Sequence, residues 1–172
     1  LATAWRMLGD ARYRDVYDYG AFVHAAELDT PPGWASRAAY LADVAHALKN
    51  QHGFSEHPFH QSIKHGSQAP DILHQQHPAL DALPQALDGP ISRYIASLGQ
   101  GDDPLRARNT GGYAFQGMWS IRMKAGGFHI DHVYPAGWIS SACYIEVPPT
   151  LQGKEGWLKF GQSNLGADLK HR

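Results

Sequence analysis

From residue 113 onward the chain changes its period, and that change limits what it can fold into. Tyr113, Phe115, Trp119, Ile121 and Met123 alternate with Ala114, Gln116, Ser120, Arg122 and Lys124, with the register blurred at Gly117 and Met118. Alternation of this kind sends apolar side chains to one face of a β-strand. Residues 129–133, 138–147 and 156–160 read as the next strands. Gly126-Gly127, Pro135-Ala-Gly137 and the stretch from Pro148-Pro149 to Gly153 supply the turns between them.

The first part of the chain has a different pattern. Ala38, Leu41, Val44, Ala45 and Leu48 recur at steps of three and four, which predicts an amphipathic helix over 35–51 with Ser36 as its N-cap and Gly53 as its stop. Residues 71–99 read as two further helical stretches, with Asp71 and Asp81 as caps. Ile91, Tyr94, Ile95 and Leu98 form an apolar stripe that ends at Gly99. Trp5, Tyr13, Tyr17, Tyr19 and Phe22 crowd residues 1–33, up to the stop at Thr30-Pro-Pro-Gly33, and are expected to pack against the main body. Residues 54–70 have no helical period and read as a hydrogen-bonding loop built on Gln61, Ser62, Lys64, Ser67 and Gln68. His57, His60 and His65 within it are too irregularly spaced to argue for a metal. Helices followed by short strands with tight turns give an α+β chain with a sandwich or barrel. A single domain over 1–172 is expected, mainly helical over 1–104 and strand-forming over 105–172.

Fifteen basic and 16 acidic residues leave a formal charge of −1, which argues against a general attraction to nucleic acid or to an anionic membrane. The single cysteine, Cys143, allows no intrachain disulfide and suits a reducing, cytoplasmic setting; it reads as a small core residue. No apolar run reaches the ~18 residues that a membrane helix needs. With no initiator Met and no leader pattern at residue 1, the chain is expected to be cut from a longer polypeptide.

The chemistry concentrates in Gly126-Gly-Phe-His-Ile-Asp-His-Val-Tyr134. Two residues apart on a strand, side chains share a face, so His129 and Asp131 would point together, and His132 and Tyr134 together on the other side. A histidine and a carboxylate on one face are two donors of the facial triad that holds non-haem Fe(II) with positions left open. Trp119 and Trp138 are read as core. Arg122 would pair either with a carboxylate in the barrel or with Glu146 across strands.

The stretch from Trp119-Ser-Ile-Arg122 through Gly126-Gly-Phe-His-Ile-Asp-His-Val-Tyr-Pro-Ala-Gly-Trp-Ile-Ser-Ser-Ala-Cys-Tyr-Ile-Glu-Val-Pro148 resembles the 2-oxoglutarate/Fe(II) oxygenases often found C-terminal to tetratricopeptide repeats. In that family a His-x-His-Pro segment precedes a Trp-(Leu/Ile)-Ser-(Gly/Ser) strand ending in Tyr and Pro. Gln61-Ser-Ile-Lys-His-Gly-Ser-Gln68 is similar to its Gln-Ser-x-Arg-x-Gly-Thr-Gln loop, and the likeness spans residues 34–160. The resemblance implies N-terminal helices packed on a double-stranded β-helix (jelly-roll) core, incomplete at its C-terminal end. It also implies Fe(II) and 2-oxoglutarate as cofactors, a small-molecule or protein substrate, and tethering to tetratricopeptide repeats. Its His-x-His falls on His132 and Tyr134, so a tyrosine stands where the second histidine is expected. Two ligand sets therefore stay open: His129 with Asp131, or His132. The resemblance further gives Tyr144 for the cosubstrate carboxylate, and Arg122 is a second candidate for binding the cosubstrate. It places the distal histidine and a further basic residue after the equivalent of Phe160, where only His171 and Arg172 remain and neither is assigned. The alternative is a non-catalytic jelly-roll binding module with a degenerate metal site.

Overall fold

The computed structural model describes residues 2–52 and 62–161. Three short helices come first: α1 (Ala2–Met7), α2 (Tyr13–Val16) and α3 (Tyr19–Phe22). They lie against the rest of the molecule as their aromatic content predicts. The Tyr19 hydroxyl donates to the Phe160 carbonyl, and the Tyr17 hydroxyl reaches the Gly161 carbonyl at 3.3 Å. The Tyr94 hydroxyl donates to the Phe22 carbonyl at 2.7 Å.

Helix α4 (Arg37–Lys49) starts where Ser36 predicts: its Oγ accepts from the Ala39 N–H at 3.1 Å. The buried stripe is Tyr40, Val44 and Ala47, shifted from the expected one, and Ala38 is exposed. Tyr40 takes the inward position because its ring fills space that an alanine cannot. Its hydroxyl donates to the Ala79 carbonyl at 3.0 Å. Burial, with the Cys143 thiol nearby, pushes its ionisation up to about 12. The predicted stop at Gly53 lies outside the described residues.

Asp71 and Asp81 do not cap as expected. Asp71 adopts a left-handed backbone before a single 3₁₀ turn (Ile72–His74), and its carboxylate pairs with His74 instead. Asp81 is the last residue of α5 (Pro78–Asp81), and the cap there is His77, whose Nδ1 accepts from the Ala79 N–H at 3.2 Å. Helix α6 (Leu83–Leu98) carries Pro90 in its interior. Proline has no N–H, so the Ala86 carbonyl loses its partner within the helix. The Asp29 N–H takes it over at 3.0 Å, and Gly89 lets Asp29 approach, since a Cβ there would collide with the Asp29 carboxylate. At the other end Gly99 stops the helix as predicted. The Asn109 amide then donates to the carbonyls of Ile95 (3.1 Å) and Gly99 (2.9 Å).

Residues expected to form an irregular loop supply a strand. β1 (Ile63–Ala69) pairs antiparallel with β2 (Ser120–His129), with Ile63 opposite His129 and Ala69 opposite Ser120. Among the described residues these two strands are the whole sheet, and a jelly roll is not seen. Residues 130–133, 138–147 and 156–160, expected as strands, are irregular. Of these, Ile130 still donates its N–H to the carbonyl of Ser62, the residue before β1, at 2.9 Å.

The core lies between α4, α5, the start of α6 and one face of the sheet: Tyr40, Val44, Ala47, Ala69, Ile72, Ala79, Leu80, Leu83 and Ala86. Full burial of Val44 and of Leu80 contributes about 1.5–3 kcal/mol each. Ile145 reaches this core from the irregular segment, and the neighbouring Glu146 pairs with Lys49 at 3.3 Å rather than with Arg122. Cys143, expected in the core, is exposed. Among the described residues no helix is long and apolar enough to cross a membrane.

Candidate metal centre

Two features of the β1–β2 ladder fix where the histidines sit. The first is His52, just beyond α4. Its Nδ1 bonds Ser67 Oγ and its Nε2 bonds Ser120 Oγ, both at 2.9 Å. Ser67 is on β1 and Ser120 on β2, so one ring clamps both strands beside α4. Burial first, then the Arg122 charge, holds the His52 pKa below the usual histidine range.

The second is a bulge. Lys64 faces Phe128 and Gly66 faces Met123, so His65 alone spans residues 124–127 of the other strand. His65 at φ 52° and Gly126 at φ 70° make the bend. Gly127 is required by space, because a Cβ there would run into the His65 carbonyl oxygen and lie 2.9 Å from that of Lys124.

Beyond the bulge, Phe128 and His129 complete β2, and the Ile130 N–H makes the next bond, to the Ser62 carbonyl at 2.9 Å. The chain then leaves the ladder, and strict alternation leaves with it. No hydrogen bond or ion pair joins His129 to Asp131 among the described residues. Instead the His129 and His132 rings stack 5.2 Å apart, and Tyr134 stands edge-on to His132 at 5.2 Å. Tyr134 in turn stacks on Trp119 at 5.6 Å. Trp119, expected in the core, is 42% exposed and serves as a platform for Tyr134. Trp138 is part-buried and donates from Nε1 to the Leu105 carbonyl at 2.8 Å. Asp131 is exposed and makes no hydrogen bond or ion pair with the described residues.

The hydrogen bonds set the state of His132. Its Nδ1 lies 2.8 Å from the Ile130 carbonyl oxygen, which can only accept, so Nδ1 carries the proton. In the neutral ring Nε2 then holds a lone pair, which receives the Tyr134 hydroxyl at 3.2 Å. A ring N–H given to a backbone carbonyl, with the other nitrogen left as a donor pair, is the arrangement that orients metal-ligating histidines. His129 is oriented by Ser62 Oγ, 3.3 Å from Nδ1. Burial, reinforced by the neighbouring His132, lowers the His129 pKa and favours its neutral form.

These two imidazoles suit iron as donors. Among the described residues no group of three His, Cys, Asp or Glu is placed to hold a metal ion. The two residues expected at the cosubstrate lie outside the cluster. The Tyr144 hydroxyl donates to the Gly156 carbonyl at 2.7 Å, and Arg122 faces Ser67 across the ladder. Neither bonds the cluster among the described residues. His57 and His60 lie outside the described residues, and His65 is exposed on the bulge. His52 and Ser120 carry no spacing signal and were not legible as a pair, whereas Ser62 and Ser67 stand out as members of a polar loop.

Residues 117–170 match the family model described as "Putative 2OG-Fe(II) oxygenase". The match covers about a third of the chain and contains His129, Asp131, His132, Tyr134 and Tyr144. It extends to the oxygenase family and carries no tie to tetratricopeptide repeats. No curated protein and no solved structure matches the chain.

Proposed function

We propose that the chain contributes to an Fe(II)/2-oxoglutarate-dependent dioxygenase, with His132 as a metal ligand and His129 beside it. The observation that carries this is the His132 hydrogen-bond pair: Nδ1–H fixed on the Ile130 carbonyl and the Nε2 lone pair bonded to the Tyr134 hydroxyl, within a stretch that matches the oxygenase family model. Iron with 2-oxoglutarate supplies oxidation of an unreactive C–H bond, at the expense of O₂ and of decarboxylation of the oxo acid. The protein's own part is to hold and orient. Ser62 fixes the His129 ring, the Ile130 carbonyl fixes His132, and the Gly126-Gly127 bulge sets the direction in which the chain delivers both. Tyr144 and Arg122 are assigned to the oxo acid carboxylates, which requires the Tyr144 hydroxyl to exchange its bond to Gly156 for one to the cosubstrate. The substrate is a small molecule or a protein group.

The jelly-roll part of this reading is supported by the sheet's two faces. Trp119, Ile121 and Met123 are 42%, 41% and 40% exposed on the face away from α4. A second sheet packed on that face would cover them. A second reading, a binding module with a degenerate metal site, is favoured by Tyr134 at a ligand position and by the absence, among the described residues, of a carboxylate grouped with the two histidines.

The test is anaerobic addition of Fe(II) and 2-oxoglutarate, read as a weak visible charge-transfer band. The band is expected in the wild type and in Asp131→Ala, and is expected to vanish in His132→Ala. Its absence from the wild type overturns the dioxygenase reading in favour of the binding module.

A further inference from the structure

Tyr144 is assigned above to the oxo acid, and its hydroxyl is already engaged. A phenol has one hydrogen to give. Tyr144 gives it to the Gly156 carbonyl at 2.7 Å, so a carboxylate can receive it only when Gly156 lets go. We propose that residues 156–161 are an autoinhibitory strap: latched by Tyr17 and Tyr19, they hold the Gly156 carbonyl on Tyr144 and keep that hydroxyl from the cosubstrate; this rests on Tyr144 binding the oxo acid, as assigned above.

The strap is preformed at one end and tied at the other. From Pro148 the chain folds through successive turns. The Leu151 N–H donates to the Pro148 carbonyl at 3.4 Å, that of Glu155 to Gln152 at 3.1 Å and that of Trp157 to Lys154 at 3.2 Å. The Glu155 carboxylate accepts from the Gln152 N–H at 3.0 Å and braces the middle turn. Gly156 follows at φ 72°, with the Leu151 side chain where a Cβ would go. These turns present the Gly156 carbonyl to Tyr144. Further on, the Phe160 carbonyl accepts from the Tyr19 hydroxyl, and the Gly161 carbonyl from the Tyr17 hydroxyl at 3.3 Å. The Phe160 ring stands edge-on to Tyr19, and Tyr19 edge-on to Tyr17. The Tyr17 ring lies where a Cβ on Gly161 would be, so glycine lets the strap close against it.

The latch belongs to the helical body. Tyr19 opens α3, and Asp18 caps that helix by accepting from the Ala21 N–H at 3.1 Å. Its last residue, Phe22, is held by α6, because the Tyr94 hydroxyl donates to the Phe22 carbonyl at 2.7 Å. The Arg106 guanidinium lies over the Phe22 ring, 5.3 Å from its centroid. The two latch bonds span 144 and 141 residues of sequence and couple the N-terminal arm to Tyr144. Both are exposed, and a hydrogen bond of this kind shifts an open–closed equilibrium by about two- to tenfold. That strength suits a reversible block, because a ligand that needs the open form binds more weakly in proportion to the fraction of chains that are open.

Trypsin acting on the intact chain, without metal or 2-oxoglutarate, reads the latch. Lys159 is exposed and precedes Phe160, so the rate at which a new end at Lys159 appears by mass spectrometry follows the open population. Tyr17→Phe with Tyr19→Phe keeps both rings and removes both hydroxyls. Gly161→Ala drives a methyl into the Tyr17 ring from the other side. Each is expected to be cut at Lys159 about threefold faster or more, and to bind 2-oxoglutarate tighter by a similar factor in anaerobic calorimetry with Fe(II). In Tyr144→Phe the hydroxyl that the strap guards is gone, so the same latch variants should leave 2-oxoglutarate affinity unchanged. Unchanged cleavage, faster cleavage with unchanged affinity, or an equal gain of affinity in the Tyr144→Phe background overturns the strap. Binding that ignores the latch variants removes the strap and leaves the dioxygenase reading standing, whereas no binding in any variant removes both.

Discussion

Replacing His52 by alanine tests how the sheet is held to the helices. The ring bonds Ser67 and Ser120 at 2.9 Å each, and those serines are only 9% and 8% exposed. A buried hydroxyl left without its partner costs about 1–3 kcal/mol. Two of them cost about 2–4 kcal/mol together, taking the low end for one because a hydroxyl can rotate toward a new acceptor. Urea unfolding followed by circular dichroism measures this as a lower midpoint at unchanged slope. Adding Ser67→Ala and Ser120→Ala removes the stranded hydroxyls, and the triple variant should recover at least half of the loss. The pH dependence has a definite sign. The folded His52 pKa lies below the unfolded value, so the unfolded chain binds the extra proton first. The His52 contribution is complete above the unfolded value of about 6.5 and is lost as pH falls through it toward the folded pKa, at no more than about 1.4 kcal/mol per pH unit. The alanine variant should lack that slope. A loss under about 0.5 kcal/mol, or a triple variant no more stable than His52→Ala, would refute the clamp.

The glycine pair gives a sharper contrast. Gly126→Ala meets open space and pays only for its φ of 70°, about 1–2 kcal/mol, whereas Gly127→Ala drives a Cβ into two backbone carbonyls and should cost more and disturb the His129 ring signals by NMR. Asn109→Ala should lower stability by about 1–2 kcal/mol in the same urea assay, because the amide serves two carbonyls at the end of α6 and its oxygen accepts from Gly111 at 2.9 Å.

What the sequence made legible was mostly local. Ser36, Gly99 and the stripe through Ile95 and Leu98 act within a turn or two of the backbone, and the helices they bound are where the pattern puts them. β1 was hidden because its stretch reads Ile-Lys-His-Gly-Ser-Gln-Ala, with no apolar alternation. It is a strand because β2, more than fifty residues later, supplies hydrogen bonds, and nothing in a short window reports a distant partner. The histidines were found and their mutual geometry was not. Period two holds only while a strand is paired, and β2 ends at His129. His52 was missed for the same reason as β1, since its serines lie 15 and 68 residues away.

The two faces of the sheet connect the fold to the site. The face against α4 carries Ala69, Ser67 and Ser120, small side chains that admit the His52 ring and the helix close to the backbone. The opposite face carries Trp119, Ile121 and Met123, which a two-stranded sheet cannot bury by itself. Trp119 belongs to that open face and is also the platform for Tyr134, so whatever covers the face touches the edge of the metal cluster. Packing a second layer on Ile121 and Met123 would remove water from beside Tyr134 and His132 without displacing them. A substitution such as Ile121→Asp, which would oppose such a layer, is then expected to weaken metal binding at His132.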